Sequence, residues 1–311
     1  MLRTSRRAAV RSEIVAAPGY LDLVSVTELP TPVIGSLSPS RAGSLSPSRA
    51  ADFKACPLLY RLRTIDRLPQ RPSPAATRGT LVHSVLERLF DLPAEARTIP
   101  AAQAMLLPQW DRLRELEPEV DLLFDDTAEP AVELAGWLAS AGDLIQTYFT
   151  LENPAHVQPT DREQLVEVTL EDGLVLRGVI DRLDIAPTGE IRVVDYKTGA
   201  SPREEFEGRA LFQMKFYALV VWRLRDVVPR QLRLMYLGDQ DTLSYAPDED
   251  ELVRFERTLR ALWAAIAHAT ETQDFRPSPG RLCDWCDYRA LCPAWGGTPP
   301  PYPSEVVQAE G

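Results

Sequence analysis

Gly178-Val179-Ile180-Asp181 and, fourteen residues later, Asp195-Tyr196-Lys197 are the stretches that decide how this chain folds. Each lies in a stretch with regularly spaced apolar residues, and turn signals at residues 171–173 and 187–189 bound these stretches, which predicts neighbouring β-strands. Because side chains alternate across a strand, Asp195 and Lys197 share one face. If the two strands pair, Asp181 and Asp195 converge at one point.

Two carboxylates that close together repel each other unless a cation lies between them. Mg²⁺ or Mn²⁺ prefers such oxygen ligands, and a cation there would polarise a phosphodiester bond and activate an attacking water. Lys197 would then stabilise the transition state, or position and deprotonate the water. An isolated Asp-x-Lys is more often an ordinary ion pair on a surface hairpin. The choice between a metal site and such an ion pair therefore depends on the rest of the sequence pattern.

Length and charge favour one soluble core. The chain has 311 residues, 45% hydrophobic and 25% charged, which is enough for a core with a helical insertion. No apolar run reaches 18 residues and no signal peptide is evident, which predicts a cytoplasmic protein without a membrane span. The net charge is −11, but residues 1–80 carry +7, so their arginines form either a phosphate-binding patch or a solvated surface.

The remaining pattern predicts the order of elements. An octapeptide at residues 35–42 recurs at 43–50, and residues 1–45 are expected to be partly ordered. Ser46 and Pro47 cap a helix that reaches about Leu62. Further helices are predicted at 80–90, two or three within 100–150, 211–224 and 248–270, and strands at 164–170, 174–185, 191–198 and 231–237.

Four segments, in this order, resemble the RecB-family nuclease domain, a branch of the PD-(D/E)XK superfamily. They are Arg78-Gly79-Thr80-Leu81-Val82-His83, Gly178-Val179-Ile180-Asp181-Arg182-Leu183-Asp184, Val193-Val194-Asp195-Tyr196-Lys197-Thr198-Gly199 and Gln213-Met214-Lys215-Phe216-Tyr217. The resemblance implies an α/β, restriction-endonuclease-like fold, with a mixed central sheet flanked by helices. It also implies a helical insertion at about 84–160 and a catalytic core at about 161–240.

The resemblance also implies roles for single residues. Taken alone, His83 is more often a surface or capping histidine, and a Gln and a Tyr one helical turn apart are more often packing residues. Glu167 is a weaker candidate, either a supporting acid or a solvent-facing strand residue. In the family pattern the metal ligands are His83, Asp181, Asp195 and the Tyr196 carbonyl, Lys197 is catalytic, and Gln213 and Tyr217 steady the site or touch DNA.

The four cysteines predict a second metal centre. Cys56 stands alone, and Cys283, Cys286 and Cys292 follow 226 intervening residues later. Their spacing suits either zinc or an iron–sulfur cluster, and structural disulfides are not expected in the cytosol. The pattern resembles the four-cysteine staple of AddB-type and CRISPR-associated nucleases. The matching segments are Ser46-Pro47-Ser48, Cys56-Pro57 and Cys292-Pro293. That resemblance implies a 4Fe–4S cluster clamping a domain at 46–295, with its C-terminal half-site at 280–295. The Pro- and Gly-rich composition of residues 296–311 predicts a disordered tail.

The predicted function is metal-dependent DNA cleavage. The family pattern favours an exonuclease that acts on single-stranded or frayed ends in DNA repair or recombination. The chain has no G-x-x-x-x-G-K-[ST] phosphate loop, so a helicase would have to be a separate partner. The alternative is a catalytically silent or partner-dependent DNA-binding scaffold with a structural metal cluster. An electron-transfer protein is a weaker hypothesis.

Overall fold

The computed structural model describes residues 43–124, 127–202 and 207–303, with the side chain of Glu207 left aside. The first copy of the octapeptide and most of the N-terminal segment lie outside these residues. Within the described residues, no helix is both long enough and apolar enough to cross a membrane.

The described elements form one mixed sheet with helices on both faces. The strands are β1 (Ser44–Leu45), β2 (Asp161–Thr169), β3 (Val175–Ile185), β4 (Ile191–Lys197), β5 (Gln231–Tyr236) and β6 (Asp241–Tyr245). The helices are α1 (Pro47–Ala55), α2 (Pro57–Tyr60), α3 (Pro74–Leu89), α4 (Ile99–Ala104), α5 (Leu106–Leu116), α6 (Pro130–Leu151), α7 (Glu207–Arg225) and α8 (Glu249–Thr272).

The sheet has six strands. Five follow the order β1-β3-β4-β5-β6, and β2 pairs with β3 from Asp161–Leu183 to Thr169–Val175. The β1–β3 and β4–β5 pairs are parallel, and the β2–β3, β3–β4 and β5–β6 pairs are antiparallel. This architecture confirms the predicted α/β fold.

Alternation along β4 divides the core into two layers. Val193 faces α7 and α8, whereas Val194 and Tyr196 face the layer built by α3, α5 and α6. This second layer corresponds to the predicted helical insertion. β4 is buried on both faces: Ile191 and Val193 contribute to the first layer, and Val194 and Tyr196 contribute to the second.

Several predicted boundaries differ from the structure; for example, β2 begins at Asp161 instead of residue 164, and α7 begins at Glu207 instead of residue 211. Three further differences have a clear physical reason. The first helix ends at Ala55, because Cys56 adopts an extended backbone and Pro57 starts a new helix. The helix predicted from Thr80 begins at Pro74, where the Ser73 hydroxyl accepts a hydrogen bond from the Ala76 amide.

The third difference concerns the C-terminal segment, for which the sequence predicts disorder from Gly296. The structure packs its described part, as far as Pro303, against the core. The Tyr302 ring stacks on Phe275 with centroids 6.1 Å apart, and the Arg61 guanidinium donates to the Pro300 carbonyl at 2.5 Å. The Tyr302 ring supplies apolar area that packs on the core, and the Pro- and Gly-rich composition of the segment does not indicate this packing.

Candidate active site

The two motif strands diverge at the site. Pairing between β3 and β4 runs from Ile185–Ile191 to Arg182–Val194, and the next residues in register are Asp181 and Asp195. There the Asp181 carboxylate replaces the backbone partner, because its Oδ2 accepts a hydrogen bond from the Tyr196 amide at 2.7 Å. The strand pairing predicted from the sequence therefore brings the two aspartates together.

Asp195 is buried and held by two side chains. Its Oδ2 lies 2.7 Å from Lys197 Nζ, and its Oδ1 accepts a hydrogen bond from Gln213 Nε2 at 2.7 Å. Lys197 is the next residue on the same face of β4, two positions after Asp195 in the sequence. Gln213 comes from α7, which packs on that face. The ammonium group is therefore fixed beside the carboxylate while one-third of the lysine side chain stays exposed.

Tyr217 lies one turn beyond Gln213 and packs on a glycine of the first motif strand. A Cβ atom at Gly178 would lie 2.8 Å from Tyr217 Cε1, so no larger side chain fits there without moving the ring. This contact gives a physical reason for a glycine at the start of one motif and a tyrosine at the end of another.

His83 reaches the site from α3, on the opposite face of the sheet. Its Nε2 lies 2.9 Å from the Tyr196 carbonyl, and its Nδ1 lies 3.5 Å from both Asp181 Oδ2 and Glu163 Oε1. Potential ligand atoms of His83, Glu163 and Asp181 all lie within 4.8 Å of one another. Glu163 belongs to β2 and was not singled out from the sequence.

Glu167 lies away from this cluster. Half of its side chain is exposed, and Oε2 lies 3.9 Å from Arg177 Nε. The structure thus places Glu167 as a solvent-facing strand residue, the second of the two interpretations offered for it.

The electrostatics of the site indicate a shortage of positive charge. Burial lowers the pKa of His83, but the nearby Asp181 and Glu163 carboxylates outweigh this effect and raise that pKa to about 9. Burial and the Asp181 charge raise the pKa of Asp195 to about 6. Buried carboxylates that hold protons this tightly are stabilised by a cation, and their oxygens together with one imidazole suit a divalent metal.

A cavity of about 750 Å³ opens beside Lys197. Its walls come from the start of α1, the middle of β3 and the exposed side of α7. Its lining includes the side chains of Ser46, Ser48, Arg49, Lys54, Arg177, Arg209, Phe212, Gln213 and Tyr217. The cavity is therefore rich in cations and hydroxyl groups, although the chain as a whole is acidic.

The four cysteines meet around a second cavity of about 340 Å³, beyond the C-terminal end of α1. The Ser278 amide donates to Cys56 Sγ at 3.4 Å, and the Gly280 amide donates to Cys283 Sγ at 3.3 Å. Leu58, Leu62 and Tyr288 pack around the sulfurs. Cys56 and three cysteines that follow more than two hundred residues later in the sequence thus share one partly apolar pocket.

Comparison with known proteins assigns the family. A model of the PD-(D/E)XK nuclease superfamily matches residues 44–293, which is most of the chain. The chain belongs to the PD-(D/E)XK nuclease superfamily. The match covers every predicted site residue, and the superfamily predicted from the four sequence segments is confirmed, while the RecB branch stays a prediction.

Two sequence relatives and one solved structure illustrate the similarity of this PD-(D/E)XK nuclease to known proteins. The Gene 69 protein of Mycobacterium phage L5 is 24% identical over 280 residues, covering 78% of this chain and 93% of that protein. The Gene 69 protein of Mycobacterium phage D29 is 22% identical over 267 residues, covering 78% and 94%. A crystal structure from Eubacterium rectale, provisionally assigned as an exonuclease, superposes with a TM-score of 0.53 at 14% identity, covering 87% and 95%. At that identity the superposition supports the fold alone.

Proposed function

We propose that this nuclease is a Mg²⁺- or Mn²⁺-dependent deoxyribonuclease that acts on single-stranded or frayed DNA ends during repair or recombination. The observation that carries the proposal is the contact between Lys197 Nζ and Asp195 Oδ2 at 2.7 Å, beside Asp181 and at the edge of a basic cavity. A divalent metal held by His83, Asp181 and Asp195 would polarise the scissile phosphate and lower the pKa of an attacking water.

The protein side chains supply the remaining chemistry. Lys197 places a positive charge where negative charge develops on the phosphate in the transition state. Asp195 and Gln213 fix the direction of that ammonium group. Tyr217, packed on Gly178, closes one wall of the cavity and limits the positions open to the substrate strand.

The chemistry of the cavity favours a single strand. Proteins that bind single strands without sequence preference combine a basic groove with aromatic surfaces for the bases. The cavity offers both, since Arg49, Lys54, Arg177 and Arg209 line it together with Phe212. Lys54 Nζ lies over the Phe212 ring, 4.4 Å from its centre, so a base that stacks on this face takes the place of the ammonium group.

We therefore expect faster cleavage of single-stranded than of blunt double-stranded DNA. The measurement compares one labelled oligonucleotide, free or annealed to its complement, in buffer containing Mn²⁺. Strands with a frayed end should be cut from that end at an intermediate rate. Equal cleavage of blunt duplex would contradict the assignment of the cavity, and binding without any cleavage would favour the DNA-binding scaffold.

The four cysteines support a structural 4Fe–4S cluster better than zinc. A tetrahedral zinc ion with bonds of about 2.3 Å places its sulfur ligands about 3.8 Å apart. Among the described residues, only His83, Glu163 and Asp181 form a group of three with ligand atoms within 4.8 Å, so no three of the thiols lie that close. A cubane of four irons spreads its thiolates further apart than one ion does.

Replacement of Cys286 by serine should remove the cluster and destabilise the fold. Protein purified without oxygen should be brown and hold about four irons per chain. The variant Cys286→Ser should lose the colour and several kcal/mol of stability, because the centre joins segments that are distant in sequence. Asp284→Asn, in the same turn and two-thirds exposed, is the matched control and should keep both. One zinc per chain without iron would contradict the cluster.

A further inference from the structure

A gap in the central sheet separates β1 from β4. On the edge of β3 that faces away from β2, the pairing with β1 extends only to Leu176, and the pairing with β4 begins only at Arg182. The basic cavity lies at this gap, because residues 177–179 line it together with Lys197 of β4 and Ser44 of β1. A substrate strand that passes Lys197 therefore meets β1 and the start of α1 as a wall.

This wall carries an arginine that has no acidic partner among the described residues. Arg49 belongs to α1, and its Nη1 donates to the Ser44 carbonyl at 2.9 Å and to the Ser44 hydroxyl at 2.8 Å. These two bonds fix the guanidinium group, while its Nε and Nη2 have no hydrogen-bond partner in the described part of the chain. Burial lowers the pKa of Arg49, and the nearby charge of Arg177 adds to this effect.

Arg177 brings a second guanidinium group to the cavity. Its side chain is 19% exposed, and its Nε lies 3.9 Å from Glu167 Oε2, which is too far for a hydrogen bond. Half of the Glu167 side chain is exposed to water, so this acid offsets little of the arginine charge. Two cations that share one wall repel each other, and a negatively charged ligand between them would remove this repulsion.

Two hydroxyl groups complete the wall. Ser46 Oγ lies 3.0 Å from Ser48 Oγ and accepts a hydrogen bond from the Arg49 amide at 3.2 Å. One hydroxyl proton lies between the two serine oxygens, whichever serine donates it. The other proton has no partner among the described residues and can be donated to a ligand. We call Ser46, Ser48, Arg49 and Arg177 the arginine–serine wall.

The charge of this wall favours a terminal phosphate over an internal one. A phosphate inside a strand carries a single negative charge. A terminal phosphate monoester carries about −1.5 to −2 at pH 7 and offers three strong acceptor oxygens. Guanidinium groups match such oxygens with paired hydrogen bonds. Two arginines and a free hydroxyl proton therefore suit a terminal phosphate in both charge and donors, and a strand that stops at a wall presents its end there.

We propose that the arginine–serine wall binds the terminal phosphate of the substrate strand, so that this nuclease acts preferentially on phosphorylated ends. The inference rests on the proposed function, because it names the substrate class of the same cavity. Arg177 and Asp181 lie four residues apart on β3, which separates their Cα atoms by about 13 Å. Because each nucleotide adds about 3.4 Å or more, a strand held at the wall reaches the metal site within its first few nucleotides.

The test compares the affinities of three single-stranded oligonucleotides of one sequence. One has a 5′-phosphate, one has a 3′-phosphate, and one has hydroxyl groups at both ends. An internal fluorescent label leaves both ends free, and fluorescence anisotropy with the full chain is measured without added divalent metal. We expect at least one phosphorylated strand to bind about 10–100-fold more tightly than the hydroxyl-ended strand, as for hydrogen bonds to a charged group. Equal affinities of all three strands would overturn the proposal.

Arg177→Met tests the position of the phosphate site. This variant should lower the preference for the phosphorylated strand by about 10-fold. Arg49→Met should have the same effect and replaces it if Arg177→Met fails to fold. Arg230→Met is the matched control and should keep the full preference, because Arg230 Nε also lies 3.9 Å from a carboxylate, Glu190 Oε1, but outside the cavity and 79% exposed. A preference that survives both cavity variants would overturn the assignment of the wall.

These affinities are measured without cleavage, so the inference and the proposed function can fail separately. Tighter binding of a phosphorylated strand, with no cleavage after Mn²⁺ is added, would reject the proposed function alone. Cleavage of all three strands at one rate, with equal affinities, would reject this inference alone.

Discussion

Lys197→Met should lower the rate of DNA cleavage by about 10²–10³-fold while leaving Mn²⁺ binding intact. Methionine keeps most of the side-chain volume but removes the ammonium group that lies 2.7 Å from Asp195 Oδ2. Loss of one charged donor aimed at the developing negative charge has an effect of this size. Removal of the positive charge should leave the affinity for the metal equal or higher, because Lys197 repels a cation. Single-turnover cleavage and calorimetric titration with Mn²⁺ separate the two effects.

Lys215→Met is the matched control for this prediction. Lys215 also belongs to a motif segment and also forms a short ion pair, with Glu251 Oε1 at 2.6 Å, but it does so between α7 and α8 and away from the cavity. We expect cleavage within about twofold of the unmodified rate, as for a typical surface ion pair. Equal losses in the two lysine variants would show that general charge, not position, explains the effect of Lys197.

Arg182→Met should destabilise the fold by about 3–5 kcal/mol, because it leaves buried acids without their main partner. Arg182 is fully buried behind the site. Its guanidinium donates to both carboxylate oxygens of Glu152, at 2.6 and 3.1 Å, and to the Tyr196 hydroxyl at 2.9 Å. It also contacts Asp184, with Nε at 3.1 Å from Oδ1. Chemical denaturation followed by circular dichroism gives the change in free energy of unfolding.

Arg192→Met provides the comparison for Arg182. Arg192 binds the same two acids, with Nη2 at 2.8 Å from Asp184 Oδ2 and 3.5 Å from Glu152 Oε1, but about one-third of its side chain is exposed. Its loss should destabilise the fold by only about 1 kcal/mol, since water can replace it. If both variants lost the same stability, burial would not be the reason for the effect of Arg182.

The same arginine connects the fold to the site. The Tyr196 ring lies in the second core layer, where its hydroxyl accepts from Arg182, while its amide and carbonyl contact Asp181 and His83. Arg182→Met should therefore also disturb the metal site, whereas Lys197→Met should not disturb the fold.

Sequence patterns predicted the central strands well and the edge strands poorly. β3 and β4 carry recurring apolar residues between clear turn signals, which mark both strands within one residue of the observed ends. β1 has two residues and β6 is largely polar, so neither carries a periodic signal. These edge strands form because the sheet offers them a partner, which is a tertiary effect.

The candidate site shows the same division. Asp181, Asp195 and Lys197 could be predicted because regular strand geometry fixes their positions. Glu163 could not, because alternation places Glu163 and Glu167 on the same face and gives no reason to prefer either. The deciding feature is the left-handed backbone of Glu163, which no local pattern in the sequence indicates.

The most direct test of the central claim compares Mn²⁺-dependent cleavage of a single-stranded oligonucleotide by the unmodified protein and by Asp195→Asn. Asn is nearly the same size as Asp and can keep the hydrogen bond to Gln213, so the fold should persist. We predict cleavage that requires Mn²⁺ in the unmodified protein and falls by at least about 10²-fold in the variant. Cleavage at the same rate in both proteins would contradict the assignment of the active site.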